Sequence, residues 1–149
     1  LAVLEAHPAA TVCRLPLLFG LDTPADRNFF RTMLTALRAG RQIRLFSDEY
    51  RSPINAEWAA RNILRALGNV SGRLNLGGPE RISRLDFGLR LSALANLPAE
   101  HIIATRQADI TLSAPRPQDA SLDSSKAARL GFTQPSLDEQ IREALSFTD

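Results

Sequence analysis

A chain of 149 residues with 44% apolar and 23% charged side chains has the makeup of one globular domain, and that balance excludes disorder. One cysteine and two histidines exclude an internal disulfide and the usual zinc clusters. Eighteen basic against sixteen acidic residues leave a net charge of +2, scattered along the chain, so nothing calls for nucleic acid, and no stretch reaches the roughly 18–20 apolar residues of a membrane span.

The first residues, Leu1 to Glu5, read as the middle of an amphipathic helix. They lack the order of a signal peptide, and the only methionine is Met33. A fragment of a longer, cytoplasmic protein is expected. Thr11 to Phe19 is β-branched and apolar and predicts one buried strand, with Pro16 at its end or on an edge because proline donates nothing to a ladder. A turn through Asp22 to Asp26 leads to a helix over Phe29, Phe30, Met33, Leu34 and Leu37, stopped by Gly40.

Arg41 to Phe46 alternates polar and apolar and predicts a strand, followed by a polar loop from Ser47 to Pro53. From Asn55 to Leu67 the spacing predicts a helix with Ala59, Ile63 and Leu67 on one face beside Ala60 and Leu64. A short strand, Arg73 to Leu76, precedes a helix opened by the capping pair Ser83 and Asp86, and a further strand is expected around His101 to Arg106. Asp123 can cap a short helix closed by Gly131, and Ser136 with Glu139 opens the last one. Alternating strands and helices without repeats predict an α/β sheet covered by helices.

Catalytic motifs are sparse: the glycine-rich nucleotide fingerprints and the Gly-x-Ser-x-Gly elbow are absent. Gly77-Gly78-Pro79 reads as a turn, His7 and His101 as surface or packing residues, and Cys13 as an inert thiol in an apolar strand. Two arginines stand out, Arg51 before Ser52-Pro53 and Arg116 between Pro115 and Pro117. A guanidinium fork on a proline-stiffened loop suits two-point recognition of phosphate oxygens. The plainer alternative pairs them with Asp48, Glu49 or Asp119.

Taken in order, Arg14-Leu15-Pro16-Leu17-Leu18-Phe19-Gly20, Asn28 to Leu34, Phe46 to Ile54, Asn75-Leu76-Gly77-Gly78, and Arg116-Pro117 through Leu122-Asp123-Ser124-Ser125-Lys126 to Phe132 resemble the C-terminal half of an extended short-chain dehydrogenase/reductase. The branch resembled is the dTDP-4-dehydrorhamnose reductase group, which modifies sugar nucleotides. The resemblance implies an α/β fold: the C-terminal part of a Rossmann-like, NAD(P)-binding fold, with residues 1–149 as the substrate-binding portion.

What the resemblance implies about sites follows residue by residue. Pro16 and Leu17 match the strand end that passes the nicotinamide of NADPH or NADH. Asn28 and Phe29 match the lining of the sugar-nucleotide pocket, and Arg51 and Arg116 match positions that hold the substrate diphosphate. Many reductases of the branch carry a small residue where Arg51 stands, so Arg51 marks either the clamp or a different substrate subgroup. No catalytic residue is expected within the chain, since the Tyr-x-x-x-Lys pair and the glycine-rich fingerprint would lie upstream of Leu1. Tyr50 is no substitute, because Ile54 stands where the lysine would be.

The implied function is the substrate-binding part of a reductase of nucleotide-linked 4-keto sugars. Alternatives are a nucleotide-sugar epimerase or dehydratase, and a non-catalytic regulatory subunit similar to the β subunit of methionine adenosyltransferase. The expected partner is a nucleotide sugar, with neither nucleic acid nor membrane, and a homodimer is among the assemblies left open. A stand-alone binding module is disfavoured, because Phe29, Phe30, Met33 and Trp58 would lose apolar cover.

Overall fold

A computed structural model of the chain describes residues 2–20, 28–111 and 114–147. The expected turn from Asp22 to Asp26 lies outside the described residues. In chain order the elements are α1 (Ala2–Ala6), β1 (Thr11–Arg14), β2 (Leu18–Phe19), α2 (Phe29–Arg38), β3 (Ile43–Phe46), β4 (Tyr50–Arg51), β5 (Ile54–Asn55), α3 (Ala56–Ala66) and β6 (Gly72–Asn75). They continue with β7 (Ile82–Ser83), α4 (Arg84–Leu94), β8 (Ile102–Thr105), α5 (Ser125–Arg129) and α6 (Leu137–Ser146). Three strand pairs are parallel, β1 with β6, β2 with β5 and β3 with β8, and β4 pairs with β7 antiparallel. The predicted α/β alternation is therefore present, as short parallel pairs joined through helices.

Local chemistry sets the helix ends. Asn28 caps α2, its Oδ1 accepting from the Phe30 and Arg31 amides at 3.0 and 3.3 Å. Asn55 caps α3 through the Glu57 amide, and Ser83 caps α4 through the Asp86 amide. Ser136 and Glu139 form the full reciprocal box that opens α6. Gly40 and Gly131 adopt the left-handed backbone expected just past helix ends.

Three expectations change. The single strand from Thr11 to Phe19 splits in two: after the last rung, Leu76 N–H to Arg14 O at 2.9 Å, the chain leaves β6 at Leu15 and Pro16 and rejoins a different partner, β5. Pro16 thus marks a strand end, as its missing N–H requires. The stretch from Ser47 to Pro53 is no solvated loop, for it contains β4 and buries Glu49, Ser52 and Pro53. On α3 the buried face is Ala59, Asn62 and Ala66, while Leu64 and Leu67 stay more than 70% exposed. Small side chains let α3 lie close on β2 and β5, where leucines would hold it off.

The main core joins Phe19, Phe30, Met33, Leu34, Leu45, Phe87, Leu91, Leu137 and Ile141. Phe19 sits 5.5 Å from Phe30 and 5.4 Å from Phe87, ring to ring. Phe30 and Met33, expected to need cover from outside, are buried by this chain alone. Gly88 lets α4 press on β3, since a Cβ there would lie 2.1 Å from Leu45 Cδ1. A buried amide ties α6 to β5, Gln140 Oε1 accepting the Asn55 N–H at 2.9 Å.

Candidate functional site

The site forms where β7 runs into α4. The antiparallel register sets Tyr50 opposite Ser83 and Arg51 opposite Ile82, and Arg84 N–H donates to Glu49 O at 3.0 Å. Arg84, first residue of α4, is thereby held beside Glu49. Its guanidinium lies 4.2 Å above the ring of Phe29, the first residue of α2. The elements that supply these residues are brief, and their positions are fixed by the core beneath them.

Glu49 is 6% exposed and organises the cluster. Its Oε1 meets Arg51 Nη2 at 3.2 Å and Arg84 Nε at 3.8 Å, and its Oε2 accepts from Gln107 Nε2 at 3.3 Å. Asp48 accepts the Gln107 amide at 3.0 Å, so both acidic residues anchor the turn after β8. Arg51 Nη1 also donates to the carbonyls of Tyr50, Pro117 and Gln118, at 2.6, 3.4 and 3.5 Å. Arg51 therefore pins the loop that carries Arg116. Of the two readings of Arg51, the plainer ion pair with Glu49 is present, and it leaves the guanidinium on the same carboxylate oxygen as Arg84.

Burial pushes the Arg84 guanidinium below its ordinary pKa, Glu49 works the other way, and Arg51 and Arg116 add to the lowering. Arg116 itself is exposed, on the loop that Arg51 holds. Arg84 Nη1 is buried and has no hydrogen-bond partner. Beside the cluster, Arg81 stacks 3.6 Å from the Tyr50 ring and pairs with Asp119 at 2.7 Å. Hydrogen bonds from the Ser121 hydroxyl and amide, then from Arg81, hold the Asp119 carboxyl down to about 2.

Of the sequence-predicted residues, Phe29 and Arg51 meet the same Arg84 and Glu49 pair, and Arg116 lies on the loop that Arg51 holds. Asn28 is buried and its amide is committed to the α2 cap and to the Gly20 carbonyl. Pro16 and Leu17 lie at the carboxyl end of β1, half-buried, and Leu17 O accepts the N–H of Ile54, three residues beyond Arg51. Glu49 entered the sequence reading only as a pairing partner, and Arg84 and Gln107 were missed. A signal for Arg84 was present: a cation directly after the capping Ser83 sits at the positive end of a helix, where it is disfavoured.

A cleft of about 440 Å³ opens beyond β6, lined by Ser52, Gly77, Gly78, Ser124 and Gln134 among others. Gly77-Gly78 is needed there on packing grounds. A Cβ on Gly78 would fall 1.7 Å from the Pro53 carbonyl oxygen. Among the described residues no cluster of three or more His, Cys, Asp or Glu side chains is placed to hold a metal ion, and no helix is long and apolar enough to cross a membrane.

Comparison with known proteins follows this geometry. Methionine adenosyltransferase 2 subunit beta of Pongo abelii is 25% identical over 141 residues, covering 89% of this chain and 42% of that protein. A dTDP-4-dehydrorhamnose reductase of Clostridium acetobutylicum superposes with a TM-score of 0.86 at 18% identity, covering 98% of this chain and 51% of that one. The dTDP-4-dehydrorhamnose reductase of Bacillus anthracis, solved in complex with NADP, superposes with a TM-score of 0.81 at 19% identity, covering 92% and 48%. The chain thus shares the fold of these enzymes over about half of their length. The sequence model of the RmlD substrate binding domain matches residues 1–148, and the chain belongs to that family.

Proposed function

We propose that residues 1–149 are the substrate-binding portion of a longer NAD(P)-dependent reductase of nucleotide-linked 4-keto sugars, of the dTDP-4-dehydrorhamnose reductase kind. The observation that carries this reading is Arg51 on β4, which pairs with the buried Glu49 and donates to the Pro117 and Gln118 carbonyls, so that it holds the loop carrying Arg116. Two guanidiniums, one from a strand and one from the loop fastened to it, suit the oxygens of a pyrophosphate. Asn28, by capping α2, fixes the start of the helix from which Phe29 faces the clamp.

NADPH or NADH, when bound, supplies the hydride that reduces the ketone. The residues present fit it: Pro16 and Leu17 offer a half-buried apolar surface at the carboxyl end of a parallel strand, where such folds bind their ligands. The chain's own contribution is to hold the diphosphate and so orient the sugar carbonyl, replacing a chance encounter by a fixed approach. The proton donor, a Tyr-x-x-x-Lys pair, and the dinucleotide fingerprint belong to the part upstream of Leu1, and these 149 residues alone are inactive. An epimerase or dehydratase of nucleotide sugars would use the same clamp with other chemistry upstream. The proposed compartment is the cytoplasm, with a homodimer as the assembly to test.

A second reading, a non-catalytic subunit that binds a partner enzyme, is favoured by the 25% identity to methionine adenosyltransferase 2 subunit beta. One experiment separates the two. The full-length protein is given a dTDP-4-keto sugar and reduced nicotinamide cofactor, and cofactor oxidation is followed. Turnover supports the reductase; no turnover together with stoichiometric binding of a methionine adenosyltransferase catalytic subunit replaces it with the second reading; neither result refutes both.

A further inference from the structure

We propose that Arg84 is a third ligand-binding cation of this site, and that it receives the doubly charged pyrophosphate of a nucleoside diphosphate sugar. The proposal rests on the nucleotide-sugar reading and extends it to a residue that neither motif nor resemblance singled out. It starts from a misfit: three features of Arg84 each cost stability. As the first residue of α4 it opposes the helix dipole. Its side chain is only 21% exposed, so much of its hydration is lost. Its buried Nη1 has no hydrogen-bond partner, where folded proteins normally supply one.

Glu49 does not resolve the misfit. The carboxylate stands 3.8 Å from Arg84 Nε, beyond good hydrogen-bond range, and the same oxygen is closer to Arg51 at 3.2 Å. Local rules broken together at one residue, compensated in the fold only by a long ion pair and a ring contact, point to a ligand at that cation. The Phe29 ring lies 4.2 Å from the Arg84 guanidinium carbon and holds the fork in place.

Charge selects the ligand class. Arg51 and Arg84 share the one carboxylate of Glu49, which leaves that pair an excess of positive charge, and Arg116 sits on the loop that Arg51 holds. A neutral sugar would leave that excess unmatched, whereas the negative charge of a pyrophosphate diester matches it. Arg51 gives charge from a fixed place, since one nitrogen faces Glu49 and another serves three carbonyls. Arg84 is the member whose donors remain to be satisfied.

The test is calorimetric titration of the full-length protein and its Arg84→Gln and Arg84→Lys variants with dTDP-glucose, UDP-glucose and inorganic pyrophosphate, with a melting curve for each protein. Losing a charged hydrogen bond predicts roughly tenfold or weaker binding of all three probes by Arg84→Gln. Its melting temperature changes little, because the burial cost removed with the cation offsets the long Glu49 contact and the Phe29 ring contact. Arg84→Lys, which keeps the charge and loses the fork, falls between. A wild-type protein that binds a nucleotide sugar and an Arg84→Gln variant that binds it equally well would overturn the role of Arg84 and leave the Arg51 and Arg116 clamp standing. The role of Arg84 is equally overturned if affinity is lost only along with melting temperature and Arg84→Lys restores both in full. A wild-type protein that binds none of the three probes overturns the clamp, and this extension with it.

Discussion

Replacing Glu49 by glutamine tests whether one carboxylate holds the cationic cluster together. The side chain is 8% exposed, meets Arg51 at 3.2 Å and Arg84 at 3.8 Å, and accepts from Gln107 at 3.3 Å. Removing one partner of a buried ion pair costs about 3–5 kcal/mol, because the remaining charge is left uncompensated. The amide oxygen keeps the Gln107 hydrogen bond, and the Arg84 contact is long, so the low end, about 3 kcal/mol, is expected. For a domain of this size each kcal/mol moves the melting temperature by roughly 2–4 °C, which gives a fall of roughly 6–12 °C. Urea unfolding of the same variant checks the free energy directly. Adding Arg84→Met should return part of the loss, since it removes a guanidinium that has lost its counter-charge. A fall of less than about 2 °C, or a double variant no better than the single one, would refute the claim that Glu49 offsets its arginine neighbours.

Arg51→Ala and Arg116→Ala, made in the full-length protein, should each weaken binding of a dTDP-sugar by roughly 1.5–3 kcal/mol, read by calorimetry; unchanged affinity in both removes the clamp. Gly78→Ala places a methyl group 1.7 Å from the Pro53 carbonyl oxygen and forces the backbone apart, so a loss of roughly 3 kcal/mol in urea unfolding is expected, and a near-neutral result would contradict the tight approach. The Asp119 carboxyl, held at about 2 in the folded chain against 3.8 ordinarily, should titrate near 2 by NMR, and Ser121→Ala should raise that midpoint. Because the folded value is the lower one, the stabilisation is complete above the ordinary carboxylate range and fades as pH falls from about 4 toward 2. The cluster of Phe19, Phe30 and Phe87 predicts that Phe87→Ala costs about 3–5 kcal/mol, measured in the same unfolding assay.

The parts of the fold legible in the sequence are those governed by neighbours in the chain. Asn28, Asn55, Ser83 and Ser136 each cap a helix through an amide two or three residues on, and Gly40 and Gly131 end helices by their own backbone freedom. The face of α3 was not legible, because the spacing favours Ile63, Leu64 and Leu67 as its apolar side whereas the tertiary packing buries Ala59, Asn62 and Ala66. Strands of two residues, such as β4 and β7, are too short to show a period of two, so the register that brings Glu49 to Arg84 has no local signature. Arg51 and Arg116 were visible through their prolines. Arg84 could have been noticed as a cation directly behind a capping serine.

The β4 stretch is bonded along both edges: β7 lies along one, where Arg84 N–H donates to Glu49 O, and on the other Tyr50 N–H donates to Gln118 O at 2.6 Å while Tyr50 O accepts from Ala120 N–H at 3.1 Å. The segment just after Arg116 is therefore a rung of the sheet, shut before any ligand arrives. An arm fastened in this way leaves little ordering to be done in the encounter, so association should proceed in one phase at a rate linear in ligand concentration, without the plateau of a gated loop. Ligand release would then govern how long the complex lasts, and the Tyr50 and Ala120 amides should exchange slowly with solvent in the free protein as well as in the bound one.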